Sequence, residues 1–199
     1  MQTIDLRPAD ARAVRTSVAV VAHATRDDLG RPTPCPAWAL GDLLAHMTAQ
    51  HHGFAAAARG HGADLANWQP QPPGADPVAA YSRAADDVLA AFAGPGVLDR
   101  AFALPEFGPG AAFPGAQAIG FHFIDYVVHA WDVARCLGLP FELDSDLAGD
   151  ALRIALAVPD GDYRLRPGAA FRPGLPAPGN PAPLDRILTA LGRSPDWPG

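Results

Sequence analysis

Apolar residues recur every three or four positions in five stretches of the first 157 residues. That interval keeps apolar side chains on one face of an α-helix. The pattern therefore predicts five helices, over 8–27, 40–59, 77–92, 115–137 and 145–157. Four of these are long enough to form the principal helices of an all-α bundle. Between the third and the fourth, the segment 98–114 carries only short apolar runs and is the candidate for a small hairpin.

The last quarter of the chain has a different composition. Residues 158–199 contain nine Pro and six Gly, which leaves room for little regular structure beyond one short helix at 183–191. We expect residues 1–199 to form a single domain. Its helical core would be 1–157, and 158–199 would be a tail that wraps over the core and ends in the short helix.

Charge and composition narrow the class of partner. The net charge is −6, and the 15 basic residues are all Arg and form no basic stripe, so we expect no nucleic-acid partner. No apolar run reaches the roughly 18 residues that span a bilayer, and the first residues contain acidic side chains instead of a signal peptide's apolar segment. With only Cys35 and Cys136, a disulfide framework is not expected either. These features together predict a cytoplasmic protein.

The fourth predicted helix carries the residues with the clearest chemistry. Asp125 and His129 are four positions apart and therefore share one face, and His122 lies on the same stripe. On the second predicted helix, His46 stands among leucines and should point into the bundle. Two imidazoles and one carboxylate can hold a borderline cation such as Zn²⁺ and leave a fourth position open. The spacing alone also fits a helix ion pair and a buried structural histidine.

Two further residues of this helix have open roles. His122 is a candidate fourth ligand or general base at the open position, and a purely structural role is the alternative. Asp132 follows His129 by three residues. It could orient the imidazole of that histidine or form an ion pair with Arg135.

Other candidates lie outside the fourth helix. Cys35 sits in a proline-rich connector, where the alternatives are packing and a reactive or metal-binding thiol. His51 and His52 lie in the more polar half of the second helix, which predicts that both are exposed.

Three separated strings resemble one known family. The strings PTPCPAWALGDLLAHM, FIDYVVHAWDVARCLG and PLDRILTALGRSPDW are similar, in this order, to the DinB-like metal-binding bundle proteins related to the mycothiol-dependent maleylpyruvate isomerase. This resemblance implies an antiparallel four-helix bundle with a divalent metal ion, zinc in the first place and nickel, iron or manganese as alternatives. Carried over residue by residue, the ligands are His46, Asp125 and His129.

The sequence departs from this family in two respects. The carboxylate ligand is commonly Glu, whereas Asp125 is one methylene shorter, which changes the reach of the carboxylate. The isomerase also has an additional C-terminal domain that contributes to its active site, where this chain has its Pro- and Gly-rich stretch. The resemblance therefore supports the metal site more strongly than the isomerase reaction itself.

The sequence and the resemblance together predict a metal-dependent enzyme of the thiol-dependent S-transferase or isomerase type. A metal-activated thiol or water would be the nucleophile, mycothiol the candidate co-substrate, and His122 the catalytic residue that manages protons. The expected partners are a small-molecule substrate or a low-molecular-weight thiol, and a second copy in a homodimer. The alternatives are a non-catalytic metal-binding module for sensing or stress, and a structural bundle without metal.

Overall fold

A computed structural model describes residues 4–36, 38–166, 169–177 and 179–198 of the chain. Positions 167, 168, 178 and 199 of the predicted tail, and position 37 of the connector, lie outside the described residues. The described residues form six α-helices and one two-stranded antiparallel hairpin. The helices are α1 (Arg7–Val21), α2 (Leu40–Ala58), α3 (Pro77–Phe92), α4 (Gly115–Leu137), α5 (Ser145–Ala157) and α6 (Pro183–Ala190), and the strands are β1 (Ala101–Ala103) and β2 (Ala112–Pro114).

Helices α1 to α4 form the bundle. Helix α1 packs against α4 and α2 against α3, while α1 also touches α3 and α2 also touches α4, so each helix has two neighbours. The predicted all-α class is confirmed, and so is the hairpin, which pairs Phe102 with Phe113 and packs against α2 and α4. Within the described part of the chain, no helix is long and apolar enough to cross a membrane.

The first helix is shorter than its periodicity predicts. It ends at Val21 instead of 27, and a separate 3-10 helix covers Arg26–Gly30. The reason is local, because the Asp28 carboxylate accepts hydrogen bonds from the backbone N–H and the hydroxyl of Thr25, at 2.9 and 2.6 Å. This cap starts a new helical segment where apolar spacing alone predicts a continuation.

Three other helix ends coincide with capping residues. Asp76 accepts a hydrogen bond from Ala79 N–H at the start of α3, and Asp144 caps α5 through Asp146 N–H. Helix α4 ends at Leu137 and is followed by Gly138, whose φ of 69° is the left-handed conformation that glycine adopts readily. These caps fix the lengths of the helices and hence the height of each side chain in the bundle.

The last helix packs on the rest of the molecule. Ile187, Leu188 and Leu191 are buried in the same apolar cluster as residues of α1, α2 and α4, and Phe171 packs against that cluster. Helix α6 itself lies against α5. The division of 1–199 into one core and one tail stays a prediction.

Candidate metal centre

Helices α2 and α4 bring three of the expected residues together. Leu44 and Met47 are buried in the core, which fixes the rotation of α2 and turns His46 toward α4. The rings of His46 and His129 are 5.4 Å apart and nearly perpendicular. His129 Nε2 lies 3.4 Å from an Asp125 carboxylate oxygen. One ligand atom from each of the three residues lies within 4.8 Å of the other two.

These distances suit a divalent metal. Bonds of about 2.0–2.1 Å in a tetrahedral zinc site separate the ligand atoms by roughly 3.3 Å, so small side-chain rotations would complete the set. Two imidazoles and a carboxylate are the donors that zinc and its neighbours accept. His129 is buried, whereas His46 and Asp125 are half-buried, so the group is accessible from one side.

Asp132 orients the buried imidazole of His129. Its carboxylate lies 2.9 Å from His129 Nδ1 and accepts that ring N–H, which leaves the lone pair of Nε2 on the side of His46 and Asp125. Asp132 also accepts from Arg193 at 3.2 Å. Arg135, the alternative partner, donates instead to the carbonyl oxygen of Trp197 at 2.8 Å.

A second group of potential ligands shares His129. Cys35 Sγ lies 3.3 Å from an Asp132 carboxylate oxygen, and these two residues with His129 offer another set of three donors. However, the buried guanidinium of Arg193 lies 3.4 Å from Cys35 Sγ and 3.2 Å from Asp132. A fixed positive charge at this distance opposes a cation in the Cys35 group, so the group containing His46 is the better metal site.

In the metal-free protein, the proton of His129 supplies the positive charge that a bound metal ion would bring. Burial lowers the pKa of His129, but Asp125, Asp132 and Cys35 outweigh it and raise the pKa to about 10. Burial and the charge of His129 lower the pKa of His46 to about 4. The arrangement therefore stabilises one positive charge between two carboxylates, and a metal ion that binds there must displace the proton of His129.

A third carboxylate flanks the group. Gln50 lies one turn after His46 on α2, and its amide donates to Glu106 in the hairpin loop at 3.1 Å. Although much of Glu106 is exposed, desolvation of its carboxyl group and the nearby charge of Asp125 raise its pKa to about 7. Neither residue is among the candidates predicted from the sequence.

His122 belongs to a different cluster. Its Nδ1 lies 2.7 Å from Asp10 on α1 and its Nε2 lies 3.1 Å from His51 Nδ1 on α2. All three residues have no exposed surface. The structure thus does not bring His122 to the group of His46, Asp125 and His129.

The prediction that His51 is exposed is wrong. Its ring stacks on Tyr126 with centroids 4.0 Å apart and parallel planes. The sequence did contain a signal for this buried polar network, because Asp10 stands in line with Val14, Ser17 and Val21 on the apolar stripe of α1. A carboxylate on such a stripe needs a buried partner.

Comparison with known proteins identifies the family of this chain. A family model described as the mycothiol maleylpyruvate isomerase N-terminal domain matches residues 11–134, which include all three candidate ligands. The chain belongs to this family. It is 33% identical over 188 residues to the uncharacterized proteins MT0763 (strain CDC 1551 / Oshkosh) and Rv0738 (strain ATCC 25618 / H37Rv) of Mycobacterium tuberculosis, covering 92% of this chain and 94% of theirs.

Solved structures share the fold at low sequence identity. The chain superposes on the crystal structure of the mycothiol-dependent maleylpyruvate isomerase with a TM-score of 0.57 and 11% identity. The crystal structure of a mutant of that isomerase gives a TM-score of 0.58 and 10% sequence identity. In both comparisons the match covers 79% of this chain and 69% of the other. The predicted DinB-like bundle is confirmed by this similarity.

Proposed function

We propose that this protein binds one divalent metal ion through His46, Asp125 and His129 and uses it in a thiol-dependent S-transfer or isomerisation. The observation that carries the proposal is the hydrogen bond from His129 to Asp132, which uses Nδ1 and leaves Nε2 of that ring facing the other two donors. A bound ion supplies Lewis acidity, which favours the thiolate form of a thiol or lowers the pKa of water toward about 7.

The family supports the choice of co-substrate. A chain of the mycothiol maleylpyruvate isomerase N-terminal family is expected to use a low-molecular-weight thiol, with mycothiol as the first candidate. Two imidazoles and one carboxylate favour zinc as the ion, with nickel, iron or manganese as alternatives. Half-buried His46 and Asp125 leave one side from which a thiol and a second small molecule can approach.

The protein's own residues have separate tasks in this proposal. Asp132 keeps the proton of His129 on Nδ1, and Arg193 holds Asp132 in place. The catalytic role of His122 stays a prediction. In the structure its two ring nitrogens contact Asp10 and His51. A cytoplasmic location, a homodimeric state and the absence of nucleic-acid and membrane partners likewise stay predictions.

Metal analysis of the purified protein is the first test. We expect about one equivalent of a divalent ion, and less than about 0.2 equivalents, with no uptake of added zinc, would contradict the proposal and favour a metal-free structural bundle. His129→Ala should abolish retention of the metal ion. His52→Ala, which removes an exposed histidine from α2, the helix that carries His46, is the control and should retain the metal.

Turnover separates an enzyme from a binding module. The zinc-loaded protein is incubated with mycothiol and a panel of electrophiles that includes isomerisable alkenes. Loss of free thiol reports S-transfer, conversion of the alkene without loss of thiol reports isomerisation, and both are compared with the His129→Ala variant. Either reaction, if it depends on His129, supports the enzyme. Full metal occupancy without any turnover would instead identify the non-catalytic metal-binding module.

A further inference from the structure

Trp38 lies against both candidate imidazole ligands. Its ring centroid is 4.6 Å from that of His46, with the two planes tilted by 38°, and 6.4 Å from that of His129. Because the two imidazoles are 5.4 Å apart, the three rings form one contiguous aromatic group. Trp38 is half-buried, so its indole borders the candidate metal centre without belonging to the fully buried core.

The connector that precedes α2 holds the backbone of Trp38 in place. The hydroxyl of Thr33 donates to the carbonyl oxygen of Trp38 at 2.8 Å and accepts from the backbone N–H of Cys35 at 3.1 Å. The backbone N–H of Trp38 donates to the Cys35 carbonyl oxygen at 2.9 Å. At the base of the connector, the N–H of Leu40 donates to the carbonyl oxygen of Arg31 at 2.9 Å. The backbone that carries the indole is therefore held by the connector itself, independently of the two imidazoles.

The two imidazoles differ in what orients them. His129 donates a hydrogen bond from Nδ1 to Asp132, which fixes its ring. Within the part of the chain that the structure describes, His46 forms no such hydrogen bond, and its ring packs against the indole of Trp38 and against His129. The χ2 rotation of a histidine has broad minima, so an imidazole without a hydrogen bond is oriented by what packs against it. In the observed orientation, one ring nitrogen of His46 lies within 4.8 Å of donor atoms of Asp125 and His129.

We propose that Trp38 is a positioning residue of the candidate metal centre, whose indole holds the ring of His46 in the orientation that binds the metal ion. This inference rests on the proposed function, which makes His46 a ligand. The indole N–H can only donate, so Trp38 supplies no ligand atom and acts through His46. Asp132 performs the corresponding task for His129. A ring that is already oriented loses less rotational freedom on binding, which raises the affinity for the ion.

The zinc affinities of three variants test this role. Competition with a chelator should show that Trp38→Ala binds zinc about three- to tenfold more weakly, because His46 is left free to rotate. Trp38→Phe keeps an aromatic face against the imidazole and should recover most of the affinity. Trp38→Leu keeps apolar area without a flat face and should resemble Trp38→Ala. Unchanged affinity in Trp38→Ala, or equal recovery by Leu and Phe, would overturn the inference.

Phe141 provides a control for general loss of packing. Like Trp38, it is a half-buried aromatic residue that packs against the larger apolar cluster. It lies after α4 and shares a small cleft with Ala13 of α1 and Leu147 of α5. Phe141→Ala should therefore lower the midpoint of thermal unfolding and leave zinc affinity unchanged. Equal losses of zinc affinity in Phe141→Ala and Trp38→Ala would reduce the role of Trp38 to packing and contradict the proposal.

A measurement on the metal-free protein separates this inference from the proposed function. NMR should detect nuclear Overhauser contacts between the indole protons of Trp38 and the ring protons of His46, and the His46 signals should shift in Trp38→Ala. Unshifted His46 signals in that variant would show that the indole does not orient the ring. If the protein retains no metal ion, the proposed function fails and these signals still report the orientation of His46. If metal is retained but zinc affinity does not depend on Trp38, only the positioning role fails.

Discussion

His129 and Asp132 are joined by a 2.9 Å hydrogen bond between the ring Nδ1 and a carboxylate that has no exposed surface. The two residues are one turn apart on α4, so the bond is set by the helix itself. It fixes which nitrogen of His129 is free to bind a cation. Arg193, 61 positions further along the chain, contacts the same carboxylate and keeps it ionised in the interior.

Removing the charge of Asp132 should weaken metal binding. Asp132→Asn keeps the shape of the side chain but no longer favours a proton on Nδ1 of His129, and changes of this kind cost about 10–100-fold in metal affinity. Competition with a chelator measures the affinity for zinc. Asp150→Asn, on the surface of α5, is the control and should bind zinc as the unmodified protein does. Equal affinities in both variants would contradict the orienting role.

Asp125 provides a second test of the ligand set. Asp125→Asn retains the size of the side chain but loses its charge, so we expect zinc affinity to fall by more than about tenfold. Asp125→Glu lengthens the carboxylate by one methylene and should retain the metal, because the side chain is half-buried and has room to adjust. The same chelator competition compares the two. Zinc binding that tolerates Asn as well as Glu would exclude Asp125 as a ligand.

Removal of Arg193 should destabilise the fold. Its guanidinium is 5% exposed and contacts both Asp132 and Cys35, so Arg193→Gln leaves the buried Asp132 carboxylate with one cationic contact, His129, instead of two. Breaking such a pair costs about 3–5 kcal/mol. Urea unfolding measures the change, and Arg153→Gln removes a half-exposed ion pair with Asp150 as the control. If Arg193→Gln lowered the free energy of unfolding no more than Arg153→Gln does, the pair of Arg193 and Asp132 would contribute little to stability.

The metal-free protein should lose stability as the pH rises. The pKa of His129 is raised from 6.5 to about 10, so its protonation stabilises the fold fully below the unfolded value and the contribution disappears as the pH passes the folded value. We expect the free energy of unfolding to fall between about pH 7 and pH 10. His129→Gln should flatten this dependence, and His52→Gln should preserve it. If the free energy of unfolding depended on pH in the same way in all three proteins, the raised pKa of His129 would be ruled out.

The buried network of Asp10 tests whether His122 acts in stability or in catalysis. Asp10→Asn weakens a charge-assisted hydrogen bond to His122 that has no access to solvent, at a cost of about 1.5–3 kcal/mol in the free energy of unfolding. Zinc content should not change, since the network shares no residue with the metal group. Asp146→Asn on the exposed start of α5 is the control. Normal stability combined with a lost thiol activity would instead assign His122 to the reaction.

The candidate ligands could be predicted because their signals are local. Asp125 and His129 share a helix face through their spacing alone, and the apolar neighbours of His46 indicate that it points into the bundle. The opposite case is His51, whose polar neighbours predicted exposure. It is buried because His122 and Tyr126 of α4 meet it across the bundle, and helical periodicity contains no information about a partner on another helix.

The sequence by itself determined the helices, the hairpin, the breaker-rich last quarter and three donors of suitable chemistry, because periodicity, caps and prolines act over a few residues. Only the tertiary structure decided that Arg193 reaches Asp132, that Asp10 pairs with His122 over 112 positions, and that Phe107 lies against Phe121. These contacts depend on how whole helices and loops pack, and packing is settled by the burial of many side chains at once.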